Sequence, residues 1–253
     1  MASYLVTGTS RGVGLAVVAA LAAKPAAEVS KILAAARSET EILRKIISAS
    51  NSRVVLVPLE ITSGESVKRA AERVSEVQGG HGIDVLINNA AVTDAPIDSV
   101  ELLTNDELDR VFKINGGGVH SVTKGSLPEL RKGGQKKIIN ISSTLGSIGM
   151  TPSSVPVNVP SHKISKAALN MLTANYALHL ENERFTVVAV NPGWIRTDMG
   201  TSTAALSPED GAKATLDVVF RVTPEETGKF LNVPVPGWEN ESAHKRYDGG
   251  CIP

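Results

Sequence analysis

Short apolar runs alternate along this chain with longer stretches in which apolar residues recur at helical spacing, the pattern of strands joined by helices. Residues 4–7 form the first run, followed by a glycine-rich turn and a helical stretch over 12–23. The runs 31–36, 53–58 and 83–87 predict further strands, separated by helical patterns over 39–48 and 63–78, with Ser63 placed to cap the latter. The run 83–87 is apolar throughout, as expected of a parallel strand covered on both faces. A long helix over 104–131 opens on a capping box, Thr104 with Glu107 three residues on. A strand over 137–142, a helix over 161–181, a strand over 184–190, a helix over 208–222 and a short strand over 228–231 complete the series. Seven strands alternating with about six helices predict one doubly wound α/β domain spanning residues 1–253. The proline-bearing segment 151–160 reads as a loop, too short for a linker.

Composition narrows the setting. A chain of 253 residues lies near the upper size for one hydrophobic core. Lys+Arg and Asp+Glu both number 26, so no net field draws the protein to nucleic acid or an anionic membrane. The single cysteine, Cys251, excludes an intrachain disulfide and points to a reducing compartment. No apolar run approaches the roughly 18 residues of a membrane helix, and no secretory leader precedes residue 4, so a cytoplasmic protein is expected. The five histidines, His81, His120, His162, His179 and His244, show no metal-ligand spacing, and no metal site is expected.

Candidate chemistry begins at the first turn. The opening strand runs into Thr7-Gly8-Thr9-Ser10-Arg11-Gly12-Val13-Gly14, and a helix follows. Glycines at this spacing let the backbone turn tightly and approach a pyrophosphate, while the helix start offers N–H groups and positive dipole to the anion. A strand before the turn and a helix after it supply the context a dinucleotide site needs.

From this turn onward the chain resembles the short-chain dehydrogenase/reductase family. Asn88-Asn89-Ala90-Ala91 is similar to that family's N-N-A-G, and Asn115 falls where it keeps an asparagine on the long helix. Ile139-Asn140-Ile141-Ser142-Ser143 is similar to the strand ending in the catalytic serine, with Ser143 the better match. Ser165-Lys166-Ala167-Ala168-Leu169-Asn170 is similar to the helix with the catalytic lysine. Asn191-Pro192-Gly193-Trp194-Ile195-Arg196-Thr197 is similar to the segment that wraps the nicotinamide. Leu145-Gly146-Ser147 and the closing segment 238–253 resemble the fungal or sniffer-like carbonyl reductases. The resemblance implies a Rossmann-type fold and a nicotinamide cofactor touching Gly8, Ser10, Arg11, Gly12, Val13, Gly14, Arg37, Glu60, Ile61, Asn89, Ala90, Lys166, Pro192, Gly193, Ile195 and Thr197. It also implies a small-molecule substrate, and a homodimer or homotetramer built on the two long helices.

The second strand ends in alanines followed by Arg37, and Arg11 lies inside the turn. With no aspartate between them these guanidinium groups favour the 2′-phosphate of NADP(H), although Glu39 stands close by. Glu60 stands where the family has an aspartate beside the adenine.

The family's proton donor, a tyrosine four residues before the lysine, is replaced by His162. Tyr4 and Tyr247 lie in other segments, and Tyr176 lies fourteen residues further along the helix, about 21 Å away at 1.5 Å per residue. His162 is then the acid itself, or the electrophile is an iminium or enone that needs no strong acid, or redox is lost and the site serves cyclisation, isomerisation or elimination. An ordinary helix-start histidine in a weakened enzyme, and a non-catalytic nicotinamide sensor, stand as plainer readings. The expectation is NADP(H)-dependent reduction of a C=O, C=N or activated C=C bond in a small, largely apolar metabolite, by Ser143, Lys166, Asn115 and His162. The alternative is a non-redox cyclase, pericyclase, isomerase or dehydratase that retains the cofactor.

Overall fold

Alternation within the strands divides the interior into two cores. Tyr4 and Val6 of the first strand enter one, with Ile32, Ala34 and Ala36, while Leu5, Leu33 and Ala35 enter the other. Successive side chains of a strand point to opposite faces, so both faces of the sheet must be covered. A computed structural model describes residues 1–151 and 158–235. Residues 152–157 of the segment read as a loop, and His244, Tyr247, Cys251 and the closing segment 238–253, lie outside the described residues.

The strands are β1 (Ala2–Thr7), β2 (Val29–Ala36), β3 (Val54–Pro58), β4 (Val85–Asn88), β5 (Lys137–Ile141), β6 (Thr186–Asn191) and β7 (Phe230–Asn232). They form one parallel sheet in the order β3-β2-β1-β4-β5-β6-β7. The helices are α1 (Gly12–Ala22), α2 (Glu41–Ala49), α3 (Gly64–Gln78), α4 (Asn105–Phe112), α5 (Val119–Lys132), α6 (Pro160–His179) and α7 (Pro208–Arg221). Side chains of α1, α2 and α7 join one core, and those of α3, α5 and α6 the other. The result is a doubly wound α/β sheet of Rossmann type. Strand order reverses between β1 and β4, where such sheets open a crevice at their carboxyl edge.

Boundaries moved for local reasons. The helix expected from residue 39 starts at Glu41, because the Thr40 hydroxyl accepts from the Leu43 N–H. Arg184 and Gly228, both at positive φ, stay outside β6 and β7. The long helix expected over 104–131 is α4 and α5 joined by a π turn over Lys113–Gly118, an element with one extra residue per turn that re-aims neighbouring side chains. Gly118 at the end of this turn has no room for a side chain: an added Cβ would lie 2.8 Å from Ile61 Cδ1.

Candidate active site

The first turn is shaped by backbone rather than by side chains. Gly8 (φ +72°) and Gly12 (φ +56°) adopt left-handed conformations that favour glycine. Gly14 is excluded from change by space, since an added Cβ would fall 2.5 Å from Asn89 Nδ2 and closer still to the Gly8 carbonyl oxygen. Side-chain hydroxyls of Thr40, Ser63, Thr104 and Ser207 cap α2, α3, α4 and α7. The first turn of α1 has no such cap and no acidic residue. Its orphan N–H groups and positive dipole end are thus left to an anion.

Asn89 and Ala90 hold this turn from beneath. The Asn89 amide donates to the Thr7 carbonyl at 2.9 Å, and the Thr7 hydroxyl accepts from the N–H groups of Asn89 and Ala90 at 3.0 Å each. Ser10 accepts from the Thr40 hydroxyl through its carbonyl, and Val13 packs on the core. The segment after β6 abuts the same turn, with Thr197 Cγ2 3.4 Å from where a Gly12 Cβ would stand.

Both arginines assigned from sequence lie on the surface in ion pairs. Arg11 meets Asp198 at 2.7 Å, and Arg37 meets Glu60 at 3.8 Å. Glu60 also accepts from the Thr62 N–H and hydroxyl, which fixes its carboxylate at the end of β3. Ile61 is buried.

At the other end of the crevice, the turn after β5 is pressed onto α6. An added Cβ on Gly146 would lie 2.7 Å from the Lys166 carbonyl carbon, so only glycine lets the Ser143 turn approach the lysine this closely. The two adjacent serines divide their roles. Ser142 is buried and donates to Asn170 Oδ1 at 2.6 Å, whereas Ser143 is half-buried, its Oγ accepts from the Leu145 N–H at 3.1 Å, and its own hydrogen meets no acceptor among the described residues. Lys166 is fully buried and donates to the Ile141 carbonyl at 2.6 Å. Burial lowers its pKa to about 8.

Asn115, on the π turn, grips one residue twice. Its Oδ1 accepts from the Val92 N–H at 2.9 Å and its Nδ2 donates to the Val92 carbonyl at 2.8 Å. Nδ2 also donates to the Ser165 hydroxyl at 2.9 Å, and Ser165 donates to the His162 carbonyl at 2.8 Å. The same Val92 oxygen lies 3.4 Å from His162 Nδ1. A carbonyl has no hydrogen to give, so bonding there places the hydrogen on Nδ1. His162 is only 6% exposed. Burial first, then the charge of Lys166, pushes its pKa down to about 4, against the opposing pull of the Val92 carbonyl and Asp94. The ring is neutral at pH 7.

Asp94 was missed in the sequence. Its buried carboxylate caps α6, accepting from the N–H groups of Ser161 at 3.1 Å and His162 at 3.2 Å. No sequence signal marks it, because the helix it caps begins more than sixty residues later. Val92 was missed for a similar reason, since it acts through its backbone, and Ser165, quoted in the lysine motif, was given no role because its part is a tertiary bond. Beyond β6, Gly193 (φ +83°) turns the chain after Pro192, and Ile195 is buried against Gly211 of α7. Ile148, Trp194 and Met199 expose large apolar side chains on the segments leaving β5 and β6. Tyr4 is buried and pushed up to about 12, and Tyr176 bonds His120 at 3.0 Å on the surface. Among the described residues no group of His, Cys, Asp and Glu is arranged to hold a metal, and no helix is long and apolar enough to cross a membrane.

This constellation, a phosphate-ready turn at one end and a Ser–Lys pair at the other, is that of a nucleotide-dependent α/β enzyme. The short chain dehydrogenase family pattern matches residues 3–206, and the chain belongs to that family. Among curated relatives, short-chain dehydrogenase anuI of Penicillium roqueforti is 31% identical over 240 residues, covering 90% of this chain and 92% of that protein. Short chain dehydrogenase gsfK of Penicillium aethiopicum is 32% identical over 250 residues, covering 91% and 96%. Among solved structures, the NADPH-bound carbonyl reductase from chicken fatty liver superposes with a TM-score of 0.83 at 31% identity, covering 91% of each chain. The carbonyl reductase Sniffer of D. melanogaster gives 0.84 at 25% identity, covering 92% and 97%.

Proposed function

We propose that this protein is an NADP(H)-dependent oxidoreductase that moves hydride to or from a carbon–oxygen centre of a small, largely apolar metabolite. The observation that carries the cofactor reading is the first turn of α1: it lacks side-chain caps and acids, and is reached through glycines at 8, 12 and 14. Such a turn fits a diphosphate and fits a side chain poorly. Arg11 and Arg37 favour the 2′-phosphate, as does the NADPH held by the chicken carbonyl reductase. Their present partners are exposed carboxylates in pairs worth about 0–1 kcal/mol, which a phosphate dianion displaces readily.

Bound there, the cofactor supplies or accepts the hydride. Gly8, Ser10, Gly12, Val13, Gly14, Asn89 and Ala90 would form or support the diphosphate end, with Glu60 and Ile61 at the adenine. Pro192, Gly193, Ile195 and Thr197 would close over the nicotinamide. Ser143, whose hydroxyl hydrogen meets no acceptor among the described residues, orients the substrate oxygen. Lys166 brings a cation next to the reacting end, Asn115 positions Val92, and His162 takes the place of the family's tyrosine. The exposed Ile148, Trp194 and Met199 supply an apolar rim. A cytoplasmic homodimer or homotetramer remains the assembly we propose. Titration of the protein with NADPH and NADH, followed by nicotinamide fluorescence, tests this: we expect tighter NADPH binding. Absence of affinity for either sinks it.

A further inference from the structure

We infer that Asn115, acting through the Val92 carbonyl, holds His162 as the neutral Nδ1–H tautomer, so that the site presents the Nε2 lone pair and takes a proton from a substrate hydroxyl. This deepens the proposed function and rests on it. It makes Nε2 the atom that exchanges the proton with the substrate oxygen, in whichever direction the hydride moves.

The geometry leads to this in three steps. Asn115 holds residue Val92 at both its N–H and its C=O, and so fixes the two peptide groups that flank its Cα and the direction of the carbonyl toward the imidazole. That carbonyl has two lone pairs, one taken by Asn115 Nδ2 and one directed at His162 Nδ1. A hydrogen held on Nδ1 of a neutral ring leaves none on Nε2, and among the described residues nothing pairs with Nε2. The charged groups around the ring act in opposite senses. Lys166 lies one turn further along α6 and opposes an imidazolium, while Asp94, on the segment after β4, favours one. Asp94 is already engaged by the Ser161 and His162 N–H groups and by Thr93, so its charge is shared among donors it already holds. Burial then tips the balance to the neutral ring.

The step balances as follows. The substrate O–H bond breaks and its proton passes to Nε2. The carbinol C–H bond breaks and its hydride leaves for NADP⁺, so the alcohol carbon is oxidised to a carbonyl and the cofactor is reduced to NADPH. The imidazolium so formed returns its proton to water. In the opposite direction the same Nε2, protonated from water, returns the proton to the carbonyl oxygen as hydride arrives at its carbon.

The test is long-range ¹⁵N–¹H spectroscopy of the histidine-labelled protein with saturating NADP⁺, recorded from pH 4 to 8, with His162→Gln assigning the His162 signals. The expected spectrum is a neutral ring with the hydrogen on Nδ1 at pH 7, charging only below about pH 5. Asn115→Ala should raise the Nε2–H population about tenfold, whereas Ser165→Ala, which leaves the grip on Val92, should not move it. Adding 1-phenylethanol, 1-indanol or 1-tetralol to the NADP⁺ complex should shift the Nε2 resonance upfield. An imidazolium or an Nε2–H ring in the wild type overturns the proposal, and the wild-type spectrum decides this even if Asn115→Ala fails to fold. An Nε2 resonance that no alcohol moves, or that the matching ketones, which have no hydrogen to donate, move as far, overturns the assignment of Nε2 as the proton acceptor. Failure to bind NADP⁺ is a separate outcome that strikes the proposed function, since the tautomer can still be read in the free protein.

Discussion

The two ends of the crevice solve their tasks by different means. Around β1 and α1 the shape is made by backbone: glycines at positive φ, an uncapped helix start, and Asn89 bracing the turn. Around β4, β5 and α6 it is made by side chains in a chain of hydrogen bonds from Asn115 through Val92 and Ser165 to His162. Backbone recognition tolerates changes of side-chain chemistry but not of volume. The reacting end has the opposite sensitivity, which is why a histidine can stand beside Lys166 without disturbing the fold.

Gly14→Ala should break the first region most severely. Its new Cβ meets the Gly8 carbonyl and Asn89, so NADPH affinity by fluorescence titration should fall about 1,000-fold, or ~4 kcal/mol. Acid should expose the second region next. The His162 pKa is lowered in the folded chain, so its contribution is fully present above the unfolded value of about 6.5 and is lost as pH falls toward 4. Wild type should therefore lose up to about 3 kcal/mol more than His162→Gln over that window, read by urea unfolding. Equal pH dependence in the two proteins would show that the ring is not held neutral. Lys166→Ala should cost about 100-fold in kcat while NADPH still binds. Arg37→Ala should be the mildest, weakening NADPH about tenfold with NADH unchanged. Equal losses for both cofactors would place Arg37 away from the 2′-phosphate.

Much of the molecule was legible because its signals are local. Apolar runs marked all seven strands, and the Thr104 and Ser63 caps were readable from a few residues. The π turn was not, since periodicity over 104–131 looks the same with or without one extra residue per turn. Ser143 was preferred to Ser142 on the motif alone; what sets the two apart in the structure, a bond from Ser142 to Asn170, lies twenty-eight residues away. Asn89 and Ala90 were assigned to the cofactor, and the structure gives them the task of bracing the turn that would receive it.

What the sequence determined alone was the order of strands and helices, the glycine-shaped turn and the spacing of Ser143, Asn115, His162 and Lys166. These depend on neighbours along the chain, through steric limits at glycine and through side-chain periodicity. Only the tertiary structure decided the charge and hydrogen placement on His162. Those follow from burial and from Val92 and Asp94, which lie seventy and sixty-eight residues back in the sequence. Proton affinity belongs to the surroundings a residue is folded into, and no stretch of sequence carries them.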